Sequence, residues 1–170
     1  GSDSGTYTIA AGRSLIQSDG SRTLLAGGAI NGEGTFALSY GDFIATAGST
    51  IAPGISLMIS DGLLTSEIPL EPTLLSLKYG EIIAHEDLAP ETFIWESGTL
   101  SGDGELNTTG ETMLDGYVKL QDKVWNNSGH VEFKNDASLY LEDVLPLETI
   151  NDIHPIFNNS GVIDINAQSY

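Results

Sequence analysis

Hydrophobic residues recur at every second position in many short stretches of this chain. The longest stretch without Gly or Pro, residues 130–145, has apolar side chains at Val131 and Phe133 and again at Leu139 and Leu141. This period of two is typical of strands, since a helix face would repeat every three or four residues. Similar segments of four or five residues, bounded by Gly, Asn, Asp or Ser, lie at residues 6–10, 43–47, 56–60, 117–120 and 161–165. The pattern therefore predicts an all-β protein.

Two pairs of similar segments indicate how these strands are arranged. GGAINGEGTF at residues 27–36 resembles SGTLSGDGEL at 97–106, and NNSGHVEF at 126–133 resembles NNSGVIDI at 158–165. In each segment a Gly and a small polar residue favour a tight bend next to a short alternating strand. Bends that repeat without helices between them predict a β-solenoid, a coil of stacked rungs. A β-sandwich is the alternative, although its strands are usually longer.

The first pair also predicts which side chains lie inside the solenoid. We expect Ile30 and Leu100 to point into the core, and Glu33 and Asp103 to lie outside on the bends. The glycines that let the chain turn would be Gly32, Gly34, Gly102 and Gly104. These Gly-x-Gly motifs are poor nucleotide-binding motifs, because no βαβ pattern surrounds them.

The bends resemble repeats of long bacterial exoproteins of the filamentous-haemagglutinin and autotransporter-passenger type. Such proteins share a corner of Trp, Gly and apolar residues, matched here by Trp95, Gly98, Leu100, Gly102, Gly104 and Leu106. They also share Asn-x-Gly-x-apolar openings, matched at residues 127–131 and 159–163, and an Ala-Pro-Gly turn, matched within residues 49–56. The resemblance implies a right-handed parallel β-helix that is exported and acts as a stalk, adhesin or passenger.

Two segments depart from this pattern. Residues 65–94 contain one Gly, three Pro and several acids, and residues 144–157 form a smaller segment of the same kind. We expect irregular excursions there, where such proteins place specific contacts. The chain opens with Gly1 and Ser2 rather than Met. We therefore expect residues 1–170 to be a single solenoid segment of a longer protein.

The net charge of −18 limits the choice of partners. Residues 1–60 carry a net charge of −2 (four acids, two Arg), and residues 61–170 carry −16 (twenty acids, four Lys). Nucleic acids and anionic membrane surfaces both require a basic face. No apolar run reaches the length of about 18 residues that a membrane-spanning helix needs. The acids are expected to keep the protein soluble, and calcium binding is the alternative interpretation.

The residues that could carry chemistry form no recognisable catalytic set. Asp103 and Glu105 could share a face as paired carboxylates, but a chain with 24 acids offers many such pairs. His85-Glu86-Asp87 is expected to be a polar loop rather than a metal site. His130 is expected on a surface strand and His154 in an extended turn before Pro155. We expect no catalytic, cofactor-binding or metal-binding residues and no enzyme activity, with a polysaccharide lyase or hydrolase as the alternative.

A few other features bear on binding. Trp95, Tyr117 and Trp125 could form an aromatic platform for sugars, but both tryptophans are expected in the core. Only one partial calcium repeat occurs, at residues 101–110, and Asp103, Glu105 and Asp115 are the acids that folding could bring together around a cation. Asn-x-Ser/Thr sequences begin at Asn107, Asn126 and Asn158, as expected by chance in Asn-rich turns. The chain has no Cys, so it has neither disulfides nor thiolate metal ligands.

These observations predict a structural and adhesive segment of a secreted or surface-displayed bacterial protein, located outside the cell. It would act as a rigid spacer and contact surface for a protein or glycan of a host or neighbouring cell. Open rung ends would also favour end-to-end self-association. Two alternatives remain: a carbohydrate-binding or carbohydrate-cleaving β-helix, and an adhesin module stabilised by calcium.

Overall fold

A computed structural model of the chain describes residues 1–143 and 155–165. All regular structure in these residues is β-strand, mostly in segments of four residues. The strands are β1 (Ser2–Asp3), β2 (Thr6–Ile9), β3 (Ser14–Gln17), β4 (Ser21–Leu24), β5 (Ala29–Gly32), β6 (Thr35–Leu38), β7 (Asp42–Ala45), β8 (Thr50–Ile51), β9 (Ser56–Ile59), β10 (Leu63–Ser66), β11 (Leu74–Leu77), β12 (Glu81–Ala84), β13 (Thr92–Trp95), β14 (Gly98–Ser101), β15 (Leu106–Thr108), β16 (Glu111–Leu114), β17 (Tyr117–Gln121), β18 (Val124–Asn127), β19 (His130–Phe133), β20 (Ser138–Glu142), β21 (Ile156–Asn159) and β22 (Val162–Ile165).

The strands form three faces of a parallel β-solenoid with about seven turns. Face A contains β1, β4, β7, β10, β12, β14, β17 and β20, and face B contains β3, β6, β9, β11, β13, β16, β19 and β22. Face C is narrower and contains the short sheets β2-β5-β8 and β15-β18-β21. Each rung runs from face C to face B to face A before the next rung begins. The prediction of an all-β solenoid is therefore confirmed, and the β-sandwich alternative is wrong.

The rungs differ in length along the stack. Paired residues are 21 positions apart in an early rung (Thr35 and Ser56) and 18 apart in a middle one (Glu81 and Thr99). Near the end, His130 pairs with Val162, which is 32 positions later. This last rung is longer because it includes residues 144–154, so most of the predicted excursion at 144–157 lies outside the described residues.

Residues 65–94 continue the regular stack, contrary to the predicted excursion. This range holds the second half of β10, all of β11 and β12, and β13 as far as Ile94, and each strand is paired with its neighbours in register. Only face C is reduced here, to the single-residue bridges Leu70–Leu88 and Leu88–Leu106. Pro69, Pro72 and Pro90 lie beside these bridges. Proline cannot donate a backbone hydrogen bond, which explains why the strand shortens on that face alone.

Alternating side chains from all three faces fill one continuous core. One column on face B places apolar side chains in register on successive rungs: Phe36, Leu57, Leu75, Phe93, the buried polar Thr112, and Val131. Burying a side chain of this size contributes about 1.5–3 kcal/mol. Because each inward side chain contacts the rungs before and after it, the core links the whole stack.

The corner residues lie as predicted, although the two similar segments occupy different corners. Ile30 and Leu100 are buried, and Glu33 and Asp103 are exposed. The segment at 27–36 turns from face C to face B, whereas the segment at 97–106 turns from face A to face C. The similarity therefore reflects the shared steric demand of a tight corner rather than one repeated position.

Candidate functional site: an acidic corner around Lys123

Three successive rungs meet at the corner where face A turns into face C. Ala84 ends β12, Gly102 follows β14 directly, and Lys123 lies between β17 and β18. Gly102 has φ of 99°, a conformation that favours glycine, and a Cβ at this position would collide with the backbone of Ala84. The close stacking of bare backbone leaves several carbonyl oxygens pointing into the corner.

The side chain of Lys123 satisfies these carbonyl oxygens. Its Nζ donates to the carbonyl oxygen of Ala84 at 3.0 Å, to that of Gly102 at 3.3 Å, and also to that of Gly104. The residue is 0% exposed. An ammonium group has three donors, so these three acceptors use all of its hydrogen-bonding capacity. Lys123 thus connects three rungs through one side chain.

Three acidic side chains, Asp87, Asp103 and Glu105, surround this buried cation. Together with Lys123 and His85, they form what we call the acidic corner. Asp103 Oδ1 lies 2.6 Å from His85 Nδ1, and Asp87 Oδ1 accepts a hydrogen bond from the backbone N–H of Glu105 at 3.1 Å. The carboxylates partly offset the cost of burying the ammonium group.

The electrostatics of the acidic corner follow from burial and from hydrogen bonding. Burial lowers the pKa of Lys123 to about 8, although the charges of Asp103, Asp87 and Glu105 act in the opposite direction. The hydrogen bond from His85 lowers the pKa of Asp103. A lysine with such a pKa could serve as a base, but this one is fully buried and all three of its donors are engaged. The arrangement supports a structural role.

The candidate residues considered from the sequence, His85-Glu86-Asp87, Asp103 and Glu105, lie on the exposed side of the acidic corner. His85-Glu86-Asp87 is an exposed loop, as expected. Asp103 and Glu105 point to different partners, because Asp103 pairs with His85 while Glu105 Oε2 accepts from Asn126 Nδ2 at 2.9 Å. Within residues 1–143 and 155–165, no group of three or more His, Asp or Glu side chains is placed to hold a metal ion.

His130 connects three strands of face B. Its Nδ1 lies 2.7 Å from Glu111 Oε2 on β16, and its Nε2 lies 3.0 Å from Asp164 Oδ2 on β22. The hydrogen bonds to Glu111 and then Asp164 raise the pKa of His130. His130 lies on an outer strand surface, as predicted, and His154 lies outside the described residues.

An asparagine ladder runs along face C, and the sequence interpretation did not anticipate it. Asn126 Nδ2 donates to Asn107 Oδ1 at 3.0 Å, and Asn158 Nδ2 donates to Asn126 Oδ1 at 2.9 Å. Beside them, Asn127 Nδ2 donates to Asn159 Oδ1 at 2.6 Å. The repeated Asn-Asn-Ser-Gly segments were the available signal, since their 32-residue spacing is the offset between β18 and β21.

The aromatic residues divide between the core and the surface. Trp95 and Trp125 are both 0% exposed, with ring centroids 6.3 Å apart. Trp125 Nε1 donates to Thr108 Oγ1 at 2.8 Å. Both tryptophans therefore belong to the core, as expected. Tyr117, in contrast, is 67% exposed.

No family model, curated protein or solved structure matches this chain. The described residues also contain no helix that is long and apolar enough to cross a membrane.

Proposed function

We propose that this chain is a segment of a secreted or cell-surface bacterial exoprotein, in which it serves as a rigid spacer and a contact surface rather than as an enzyme. The resemblance of its bends to filamentous-haemagglutinin and autotransporter-passenger repeats supports this assignment. The observation that carries it is the unbroken stack: one core runs through all rungs, and the acids lie outside.

The stack has the mechanical properties that a spacer requires. Seven rung steps of parallel strands span about 34 Å. Backbone ladders on faces A and B cross every rung, and Lys123 and His130 add side-chain links between rungs. A solenoid of this kind has no hinge within the stack, because each rung is held by both neighbours.

The charge distribution supports exposure to solvent and selects the partners. With a net charge of −18, the surface repels nucleic acids and anionic lipid headgroups. The expected partner is a neutral or basic surface of a host or neighbouring cell, either protein or glycan. End-to-end self-association through the terminal rungs remains part of the proposal.

The contact role can be tested with beads that carry the protein in a fixed orientation through a biotin at Gly1. We expect such beads to remain on bacterial or epithelial cell layers under flow longer than beads coated with an unrelated protein of similar net charge. Equal retention of both bead types would contradict the adhesive role. The spacer role is tested separately by stretching the chain in optical tweezers, where a hinge-like extension before unfolding would contradict it.

A further inference from the structure

A column of exposed tyrosines lies along the corner between faces B and A. Tyr40 and Tyr79 each lie two residues before a face A strand, and Tyr117 begins one. Their side chains are 58%, 68% and 67% exposed, respectively. A row of large, exposed aromatic side chains indicates a binding surface more strongly than scattered aliphatic side chains do.

The pairing of the following strands places these tyrosines at one equivalent position of the rung. Tyr117 pairs directly with Ser138, and the pairing of Gly98 with Val118 puts Ser97 opposite Tyr117. Continuing through the paired face A strands gives this order along the stack: Asp19, Tyr40, Asp61, Tyr79, Ser97, Tyr117 and Ser138. We call Tyr40, Tyr79 and Tyr117 the tyrosine column. Tyrosine thus occurs on every second rung, and a small polar residue lies between.

The spacing of the tyrosine column follows from the spacing of parallel strands. Neighbouring strands lie about 4.8 Å apart, so tyrosines on alternate rungs repeat at about 9.5 Å. The three of them span four rung steps, or about 19 Å. This repeat closely matches the length of the disaccharide unit in an extended β-1,4-linked glycan.

A shallow groove lies beside Tyr79, the middle member of the tyrosine column. It has a volume of about 370 Å³, and its lining includes Tyr79, Gly80 and the three acidic residues Asp42, Asp61 and Glu81. The floor is formed partly by corner glycines, so the ligand could approach the backbone. Carboxylates accept hydrogen bonds from hydroxyl groups, which a sugar supplies along its edges.

We propose that the tyrosine column and this groove bind a neutral β-1,4-linked glycan in an extended conformation. Each tyrosine ring would stack on the C–H face of one sugar, and successive tyrosines would engage every second sugar of the glycan. The carboxylates would accept hydrogen bonds from the hydroxyl groups of the glycan. The net charge of −18 would exclude anionic polysaccharides. This inference rests on the contact-surface part of the proposed function and names the chemistry of its partner.

A proline-rich peptide is the main competing occupant. A polyproline II helix repeats every three residues, or about 9.3 Å, and so it also fits the spacing. Proline recognition, however, uses aromatic-lined grooves, and Tyr79 is the one aromatic residue that lines this groove. The three tyrosines of the column lie on alternate rungs about 9.5 Å apart, which suits one sugar ring each, and Tyr117 also packs on Tyr140 with ring centroids 6.2 Å apart.

Calorimetric titration of the whole chain with cellohexaose and chitohexaose tests the proposal. We expect binding of at least one of them, and affinity about ten-fold higher for the hexasaccharide than for the disaccharide, because the longer ligand reaches all three platforms. Maltohexaose, which is α-linked, and oligogalacturonate, which is anionic, should not bind. Lack of binding by both neutral hexasaccharides would overturn the proposal.

Variants of the tyrosine column separate stacking from other contacts. Tyr79→Ala should weaken binding about ten-fold, whereas Tyr79→Phe should stay within about two-fold because the ring remains. Met58→Ala removes another exposed apolar side chain, on face B, and should have no effect. Unchanged binding by Tyr79→Ala would overturn the proposal, as would Tyr79-dependent binding of a (Pro-Pro-Arg)4 peptide in place of a glycan.

The bead assay distinguishes failure of this inference from failure of the proposed function. If coated beads adhere to cells but no neutral glycan binds in solution, the contact surface stands and the glycan inference is wrong. If the glycan binds but the beads do not adhere, the tyrosine column is a sugar site and the adhesive role is wrong.

Discussion

Lys123 and Ala84 are 39 positions apart in the sequence, yet the Nζ of Lys123 donates to the carbonyl oxygen of Ala84 at 3.0 Å. The contact crosses the intervening rung, whose Gly102 and Gly104 carbonyls are bound by the same ammonium group. A fully buried lysine in a solenoid core is costly unless all of its donors have partners. Here the bare corner backbone supplies those partners, so one side chain joins three turns of the coil.

Replacing Lys123 by Met tests this cross-link. The variant keeps an unbranched side chain out to the ε position but leaves the carbonyl oxygens of Ala84, Gly102 and Gly104 without their donor. We expect the free energy of unfolding to fall by about 3–5 kcal/mol, the range seen when one partner of a buried charged group is removed. Urea denaturation followed by tryptophan fluorescence measures the change.

Lys134→Met is the matched control for that experiment. Its ammonium lies 3.5 Å from Glu132 Oε2 and both side chains are partly exposed, so the ion pair contributes little. We expect a change of no more than about 0.5 kcal/mol. Similar losses in the two variants would show that the carbonyl contacts of Lys123 have no special structural role.

The stability of the protein should depend on pH because His130 lies between the carboxylates of Glu111 and Asp164. These carboxylates raise the pKa of His130 in the folded state. The stabilisation is therefore complete below the ordinary histidine pKa near 6.5 and is lost as the pH rises through the raised value. We expect the melting temperature of the wild-type protein to exceed that of His130→Ala by more at pH 6 than at pH 9. A constant difference across this range would contradict the assignment.

Alanine variants of two glycines with similar φ angles can distinguish the cost of backbone strain from the cost of steric crowding. Gly12 has φ of 71° and nothing near the position of a Cβ, whereas Gly41 has φ of 80° and lies against the backbone of Gly20 in the rung below. Gly12→Ala should lower the free energy of unfolding by about 1–2 kcal/mol through left-handed strain alone. Gly41→Ala should lower the free energy of unfolding by roughly 1–3 kcal/mol more than Gly12→Ala does, because the rungs must move apart. Equal losses in chemical denaturation would mean that the corner tolerates a methyl group.

Calcium should stabilise the protein only by general screening of its negative charge. The acids of the acidic corner already surround an ammonium group, and Asp103 is paired with His85. We expect equal concentrations of calcium and magnesium to raise the melting temperature by the same amount, since screening does not distinguish the two ions. A rise specific to calcium would instead indicate a dedicated site and favour the calcium-stabilised adhesin alternative.

The strands and the second repeat could be predicted because their signals are local. Alternation at Val131 and Phe133 follows directly from the two-residue period of a strand. The Asn-Asn-Ser-Gly segments keep their residue types because Asn126 and Asn158 stack on each other. Local chemistry was therefore sufficient for the fold class and for part of face C.

The face A glycines, the tyrosine column and the contacts of Lys123 depend on which residues of neighbouring rungs are paired. This pairing cannot be deduced from the sequence. The glycines that begin face A, such as Gly41, Gly62 and Gly80, are spaced by 21 and then 18 residues, so no single period reveals them. The same change of rung length conceals the tyrosine column. Lys123 has no sequence signature at all, because its partners are backbone carbonyls of distant residues. The prolines of residues 65–94 indicated irregularity, but they affect only the narrow face.

The asparagine ladder has a practical consequence for producing this protein. Asn107, Asn126 and Asn158 each begin an Asn-x-Ser/Thr sequence, and their amides are hydrogen-bonded to one another on successive rungs about 4.8 Å apart. In a eukaryotic secretory pathway, these sites would be open to oligosaccharide transfer before the rungs close. A sugar chain on Asn126 would leave its Nδ2 with one hydrogen, so the amide could not keep both of its bonds, to Asn107 Oδ1 and to Glu105 Oε2. Protein secreted by yeast or mammalian cells should therefore melt at a lower temperature than protein from a bacterial host that adds no such sugar.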